Sequence, residues 1–89
     1  MNRENEDKLI AAIKNICRLE VDDQFILDAL KDENCDLIAT LGFDSLLFVE
    51  LIVEIEDSMG VEFDMNRLDI HKLKFYGILR SEVDNLLGA

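Results

Sequence analysis

The sequence predicts an all-α protein, a small four-helix bundle with a long loop between its first and second main helices. Three observations support this fold class. Apolar residues recur at helical spacing along much of the chain, there are no prolines and only 4 glycines, and no segment shows the alternation of a half-buried strand. With 89 residues, of which 49% are hydrophobic, we expect a single domain over residues 1–89 with a small core.

The first helix is predicted from about Glu4 to Leu19. Leu9, Ile13 and Ile16 recur on one face at helical spacing, whereas the opposite face is polar. This pattern indicates an amphipathic helix that buries one side against the rest of the domain.

A long acidic connection, Glu20–Asp44, follows the first helix. Asp23 is placed to cap a short helix within it. So long a loop in so small a domain must be pinned to the core or used for binding. Its apolar residues favour pinning: Phe25, Ile26, Ala29, Leu30, Leu37, Ile38 and Leu41.

The second main helix is predicted from about Ser45 to Met59, and Gly60 follows it as a left-handed C-cap. Its core stripe follows helical periodicity. That stripe consists of Phe48, Leu51, Ile52, Ile55 and Met59.

Two further helices are predicted toward the C-terminal end. Asp64 is a plausible cap for a short helix through Leu68, and the last helix runs from about Lys74 to Leu87. Gly77 weakens this last helix slightly. The apolar stripe of the last helix is Phe75, Leu79, Val83 and Leu86.

The charge balance constrains the partners. Twenty acidic and 9 basic residues give a net charge of −11, which argues against binding to nucleic acid and favours protein partners with basic surfaces. No apolar run approaches the ~20 residues that span a bilayer, and the first residues lack the apolar stretch of a signal peptide. We therefore expect a soluble, cytoplasmic monomer.

The sequence shows no catalytic machinery. A paired nucleophile and base, a glycine-rich phosphate loop and a metal cluster are all missing, so we predict neither an enzyme nor a metal site. We expect Cys17 to be a buried reduced thiol and His71 a partly exposed surface residue, while Cys35 lies in the loop.

The most informative residues lie where the second main helix begins. Gly42 permits a sharp turn, and Asp44 or Ser45 caps the helix. The Ser45 hydroxyl would lie beside unpaired amides at the positive end of the helix dipole, a setting that suits a phosphodiester. Taken alone, however, a serine at such a position most often only caps the helix.

The stretch Leu41-Gly42-Phe43-Asp44-Ser45-Leu46 resembles the phosphopantetheine attachment motif of acyl and peptidyl carrier proteins. The resemblance extends over nearly the whole chain. It implies that Ser45 receives 4′-phosphopantetheine from coenzyme A through a phosphopantetheinyl transferase. It further implies a carrier, and hence a phosphoprotein, that holds acyl or aminoacyl groups as thioesters for fatty acid, polyketide or nonribosomal peptide biosynthesis.

The side of the second main helix opposite its core stripe is both acidic and apolar. Helical periodicity places Glu50, Glu54 and Asp57 there together with Leu46, Val53 and, less closely, Leu47. Such a mixed face suits weak docking of basic enzymes that load and transfer the cargo. The resemblance also implies partner contacts for Glu50, Glu56 and Asp57. The predicted partner-binding residues are therefore Asp44, Leu46, Glu50, Val53, Glu54, Glu56 and Asp57.

Two questions stay open at the level of sequence. Leu47 stands where many fatty-acid carriers have another acid, which leaves the choice among the three pathways open. The alternative to a carrier is an unmodified acidic helical module that binds a basic partner through the second main helix.

Overall fold

The computed structural model describes residues 1–17, 20–64 and 66–88. Within these residues the chain forms helices and no strand, which confirms the predicted all-α class and the small bundle. The helices are α1 (Arg3–Ile16), α2 (Asp23–Leu30), α3 (Leu37–Leu41), α4 (Ser45–Met59), α5 (Ile70–Leu73) and α6 (Tyr76–Leu86).

Helix α1 packs against α4 and α2. The side chain of Asn2 caps α1 by accepting the amide N–H of Asn5, and the helix ends at Ile16. The predicted end at Leu19 lies outside the described residues. Leu9 and Ile13 are buried, as the apolar stripe predicts.

The first half of the long connection forms α2. Ile26 and Leu30 are buried, whereas Phe25 keeps 45% of its surface exposed. The predicted cap was wrong by one residue. The carboxylate of Asp22, rather than that of Asp23, accepts the amide N–H of Phe25 at 2.8 Å. Both aspartates suit an N-cap, and backbone geometry decides between them.

The second half of the connection is pinned to the C-terminal part of the chain, as its apolar residues predicted. Asp36 and Phe75 form an isolated antiparallel bridge, and Lys74 lies 3.3 Å from the Asp36 carboxylate. Three backbone N–H groups donate across this contact: Leu37 to Lys74 O (2.8 Å), Tyr76 to Cys35 O (2.9 Å) and Gly77 to Glu33 O (2.8 Å).

Helix α4 provides the central face of the core and has the predicted bounds. Its buried residues are Phe48, Leu51, Ile52 and Ile55, while Met59 is half-buried against the same cluster. Gly60 adopts φ +67° at the C-cap, and its N–H donates to Glu56 O, which confirms the predicted left-handed cap.

The prediction for the segment after α4 was wrong. The Asp64 carboxylate accepts the amide N–H of Asn66, and the Asp64 carbonyl accepts that of Arg67, so this aspartate stabilises a turn. The short helix begins later, at Ile70, after a cap from Asp69.

The last helix begins two residues later than predicted. Phe75 is its N-cap and is half-buried, so its predicted place in the core is taken by Tyr76, which is buried. Leu79 and Val83 are buried as predicted, and Leu86 packs against the core from a half-buried position.

The two cysteines are not joined to each other. Cys35 is buried, and burial raises the pKa of its thiol. Cys17 is only half-buried, less than predicted, because it follows the last residue of α1. His71 is an exposed surface residue of α5.

Candidate functional site at the start of helix α4

A tight turn connects α3 to the start of α4. Helix α3 ends at Leu41, and Gly42 adopts φ +71° while its N–H donates to Leu37 O. A side chain in this left-handed conformation costs about 1–2 kcal/mol, so glycine fits the position. The next residue, Phe43, is buried, which anchors the turn to the core.

Asp44, rather than Ser45, caps α4. Its carboxylate accepts the amide N–H of Leu47 at 2.8 Å, and its carbonyl accepts that of Phe48 at 2.9 Å. The sequence left the choice of cap open between these two residues. Because Asp44 serves as the cap, the hydroxyl of Ser45 is not needed for this purpose.

Ser45 is the first residue of α4 and is exposed. Within residues 1–17, 20–64 and 66–88, no hydrogen bond joins its hydroxyl to another group. In the same residues, the amides of Ser45 and Leu46 have no acceptor, as expected for the first turn of a helix. The site therefore combines an accessible hydroxyl with unbonded donors.

This geometry fits a 4′-phosphopantetheine group. Its phosphate would be attached at the Ser45 oxygen, beside the positive end of the dipole of a 15-residue helix. The exposed hydroxyl also leaves room for the rest of the group to extend into solvent. The start of α4 thus combines an exposed hydroxyl with an electrostatic setting that favours a phosphate.

Three aliphatic side chains lie exposed along α4. Leu46, Val49 and Val53 keep 68%, 39% and 49% of their surface exposed, respectively. Leu46 and Val53 were predicted on the outward sector, whereas Val49 was missed. Val49 follows Ser45 by one helical turn and lies about 40° from it around the axis, a spacing that could have identified it. Leu47 is half-buried and packs against the core.

The predicted acids of α4 differ in their surroundings. Asp57 is exposed and Glu50 half-buried. One oxygen of Glu54 lies 3.4 Å from both Asn15 Nδ2 on α1 and the Ser58 hydroxyl. The Glu56 carboxylate accepts the amide N–H of Phe63 at 2.9 Å. Glu54 and Glu56 are therefore held by contacts within the chain, whereas Asp57 is exposed to solvent.

A separate groove of about 430 Å³ lies between the segment after α4 and helices α5 and α6. Its lining is partly apolar, with Phe63, Leu73 and Ile78. The charged lining residues include more acids than bases: Glu62, Asp64, Asp69 and Glu82 against Arg67 and Lys72. Neither Ser45 nor the exposed aliphatics of α4 line it, so this groove is not part of the site at the start of α4.

The family model described as a phosphopantetheine attachment site matches residues 7–73, which is most of the chain and includes α4 with Ser45. The chain belongs to this family. No curated protein and no solved structure matches it.

Membership of this phosphopantetheine-binding family indicates the general role of the protein. The protein is a carrier that holds 4′-phosphopantetheine covalently, and it is not itself an enzyme. A carrier of this kind interacts with the transferase that attaches the group and with biosynthetic enzymes. In the described part of the chain, no helix combines the length and apolar character needed to cross a membrane.

Proposed function

We propose that Ser45 carries the 4′-phosphopantetheine group. The protein then delivers acyl or aminoacyl groups, held as thioesters, to enzymes of fatty acid, polyketide or nonribosomal peptide biosynthesis. The observation that supports this assignment is the exposed Ser45 hydroxyl at the first position of α4. Because Asp44 caps the helix, this hydroxyl is not needed as a cap. The thiol of the bound group supplies the reactive atom.

The other serines are poorer candidates for attachment. Ser58 lies near the end of α4, and its hydroxyl donates to Glu54. Ser81 lies in the middle of α6. Neither position offers unbonded amides to a phosphate, whereas Ser45 does.

Partner enzymes are proposed to dock on the outer face of α4, which we define as Leu46, Val49, Glu50, Val53 and Asp57. Its aliphatic side chains are exposed, and a mixed apolar and acidic surface suits weak, repeated association with basic partners. Asp44, Glu54 and Glu56 were also predicted to contact partners. Their carboxylates accept hydrogen bonds from the Leu47 amide, from Asn15 and from the Phe63 amide, respectively, and these three acids remain proposed partner contacts outside the outer face as defined here.

Two physical observations support a cytoplasmic monomer as the working form. Both cysteines are free, which suits a reducing compartment. The net charge of −11 disfavours self-association through mutual repulsion.

The attachment site is tested by incubation with coenzyme A and a broad-specificity phosphopantetheinyl transferase, followed by intact-mass measurement and peptide mapping. We expect one added group, located on the peptide that contains Ser45. The Ser45→Ala variant should gain nothing, whereas the matched control Ser58→Ala should be modified like the wild type. A gain that survives Ser45→Ala would place the attachment elsewhere. No gain in the wild type would favour an unmodified interaction module.

The docking face is tested by the kinetics of the same transferase. Reversing Glu50 and Asp57 to Lys should lower the association rate and flatten its dependence on salt, because charges act at long range and are screened by ions. Val53→Ala should raise the dissociation rate and leave the salt dependence unchanged, because apolar contact is short-ranged. A folded charge-reversed variant that is modified at the wild-type rate at low ionic strength would rule out this face for that enzyme.

A further inference from the structure

Helix α3 leads directly into the turn before Ser45, and the residues between them are Gly42, Phe43 and Asp44. With 5 residues, Leu37–Leu41, this helix is too short to persist in isolation, because nucleating a helix costs more than so few hydrogen bonds return. Ser45 lies in the first turn of α4, and helix ends fray unless the neighbouring chain holds them. The contacts that hold α3 therefore also affect how well Ser45 is ordered.

Asp36 holds α3 with both oxygens of its carboxylate. Oδ1 accepts the amide N–H groups of Ile38 and Ala39 at 2.9 and 3.1 Å, which caps the helix. Oδ2 lies 3.3 Å from Nζ of Lys74, the residue that follows α5. Both side chains of this ion pair are half-buried, so salt screens it less than a fully exposed pair. One carboxylate thus caps α3 and ties it to the chain that precedes α6.

Leu37 extends this tie to the turn. Its amide N–H donates to the carbonyl of Lys74 at 2.8 Å, and its own carbonyl accepts the N–H of Gly42. Gly42 is the left-handed residue of the turn, and the buried Phe43 follows it directly. A continuous line of contacts therefore runs from Lys74 through Leu37 to the turn that precedes Ser45.

We propose that Asp36 is a positioning residue for the transfer of 4′-phosphopantetheine to Ser45. It acts by holding α3 and, through α3, the turn of residues 42–44 in which Asp44 caps α4. The transferase then meets a hydroxyl whose position is already fixed, so the entropy of ordering it is not lost on binding. This inference rests on the proposed attachment at Ser45.

The experiment separates the two contacts of the Asp36 carboxylate. Asp36→Ala removes the cap and the ion pair together, whereas Lys74→Met removes the ion pair and leaves the cap. Asp36→Asn keeps an acceptor oxygen for the cap, since asparagine and aspartate are comparable at this position. Asp22→Ala is the matched control, because Asp22 caps α2 in the same long connection but α2 does not lead into the turn.

Each variant is measured in two ways at a temperature at which circular dichroism shows that it is folded. Single-turnover modification with coenzyme A and an excess of the broad-specificity transferase gives the rate at saturation and the transferase concentration that produces half of this rate. The first quantity reports how well Ser45 is presented in the complex, and the second reports binding. Amide hydrogen exchange by NMR follows Gly42 in the turn, Leu47 at the α4 cap and, as a reference, Leu51 in the core.

We expect Asp36→Ala to lower the saturated rate by about tenfold and to change the half-saturating concentration by less than about twofold, because small misplacements of a reacting group are costly. Amide exchange at Gly42 and Leu47 should rise, while exchange at Leu51 should change little, because the effect is local. Asp22→Ala loses the same charge and the same kind of cap, and it should be modified like the wild type.

The variants that remove the ion pair alone should have smaller effects. Asp36→Asn and Lys74→Met should each lower the saturated rate by about two- to threefold, and the double variant no further, since both remove one interaction. Lys74→Met makes the protein more acidic, so a lower rate in this variant does not come from weaker attraction of a basic enzyme.

The proposal is wrong if folded Asp36→Ala is modified at the same saturated rate as Asp22→Ala, or if its defect appears in the half-saturating concentration alone. Should Asp36→Ala fail to fold, an unchanged saturated rate in Lys74→Met would contradict the proposal in the same way. If the transferase does not modify the wild type, the proposed carrier site fails instead. Exchange at Gly42 then still decides whether the Asp36 carboxylate holds the turn.

Discussion

Replacing Gly77 with alanine tests whether the long connection is held against α6 by close backbone contact. From the sequence, Gly77 is expected to weaken the last helix because glycine has a low helix propensity. Alanine at this position would then be expected to stabilise the helix. The structure gives the opposite expectation. A Cβ atom at Gly77 would lie 2.9 Å from both the Cβ and the carbonyl oxygen of Glu33, closer than real Cβ contacts allow.

Two opposing effects decide the magnitude. Alanine gains at most about 1 kcal/mol over glycine inside a helix, and less near its first turn. Overpacking costs about 1–3 kcal/mol, and here one of the crowded atoms is backbone and cannot rotate away. Any shift of Glu33 also strains the 2.8 Å hydrogen bond from the Gly77 N–H, which adds a cost of about 0.5–1.5 kcal/mol if it is lost. The sum is a net destabilisation, of up to about 3 kcal/mol if the hydrogen bond is kept and up to about 4.5 kcal/mol if it is lost.

The assay is thermal and urea unfolding followed by circular dichroism. For a domain of this size, each kcal/mol lowers Tm by about 4–8 °C. Ser81→Ala is the matched control, because Ser81 is exposed in the same helix and gains helix propensity without a clash. A Gly77→Ala protein as stable as the wild type, or more stable, would show that the two segments do not pack this closely.

Two further predictions concern the core and the pH dependence of stability. Leu51→Ala should lower the free energy of unfolding by about 2–5 kcal/mol, because Leu51 is fully buried; an unchanged Tm would show that α4 turns another face inward. Burial acts to raise the pKa of Asp36, but hydrogen bonding to the Ala39 amide and to Lys74 outweighs it and lowers the pKa below the ordinary 3.8. Asp36 should therefore stabilise the fold fully above its ordinary, unfolded pKa and lose this contribution as the pH falls through its lower folded pKa. Urea unfolding should show that Asp36→Asn is less stable than the wild type at pH 7, with a smaller difference in strong acid, whereas a constant difference would contradict this.

The sequence predicts α4 well because the features that define this helix are local. The aspartate cap, the apolar stripe and the left-handed glycine at its end all lie within or beside the helix, and the predicted bounds of Ser45–Met59 match the structure. The start of the helix is also where the candidate attachment site lies, so the position of Ser45 follows from sequence alone.

The segment between α4 and α6 is less predictable because two aspartates offer the same local signal. Asp64 and Asp69 each accept a hydrogen bond from an amide two residues later. The first stabilises a turn, whereas the second begins α5. A capping pattern does not specify which outcome follows, because packing of the residues behind it decides between helix and turn.

Long-range contacts account for the other differences. Tyr76 enters the core in place of Phe75 because its amide donates to Cys35 O, which sets the start of α6. The contact between Glu56 and the Phe63 amide likewise joins two places that no periodicity relates. Helical spacing describes a face of a helix, but it does not show which acids on that face bind elsewhere in the chain.

The most direct test of the central claim is the mass of the protein isolated from its own host, with peptide mapping around α4. The account predicts a 4′-phosphopantetheine group on Ser45, alone or with an acyl or aminoacyl group on its thiol, and the mass of that group would identify the pathway. Protein that carries the group on another residue, or that is never modified while the host's other carriers are, would contradict the assignment of Ser45.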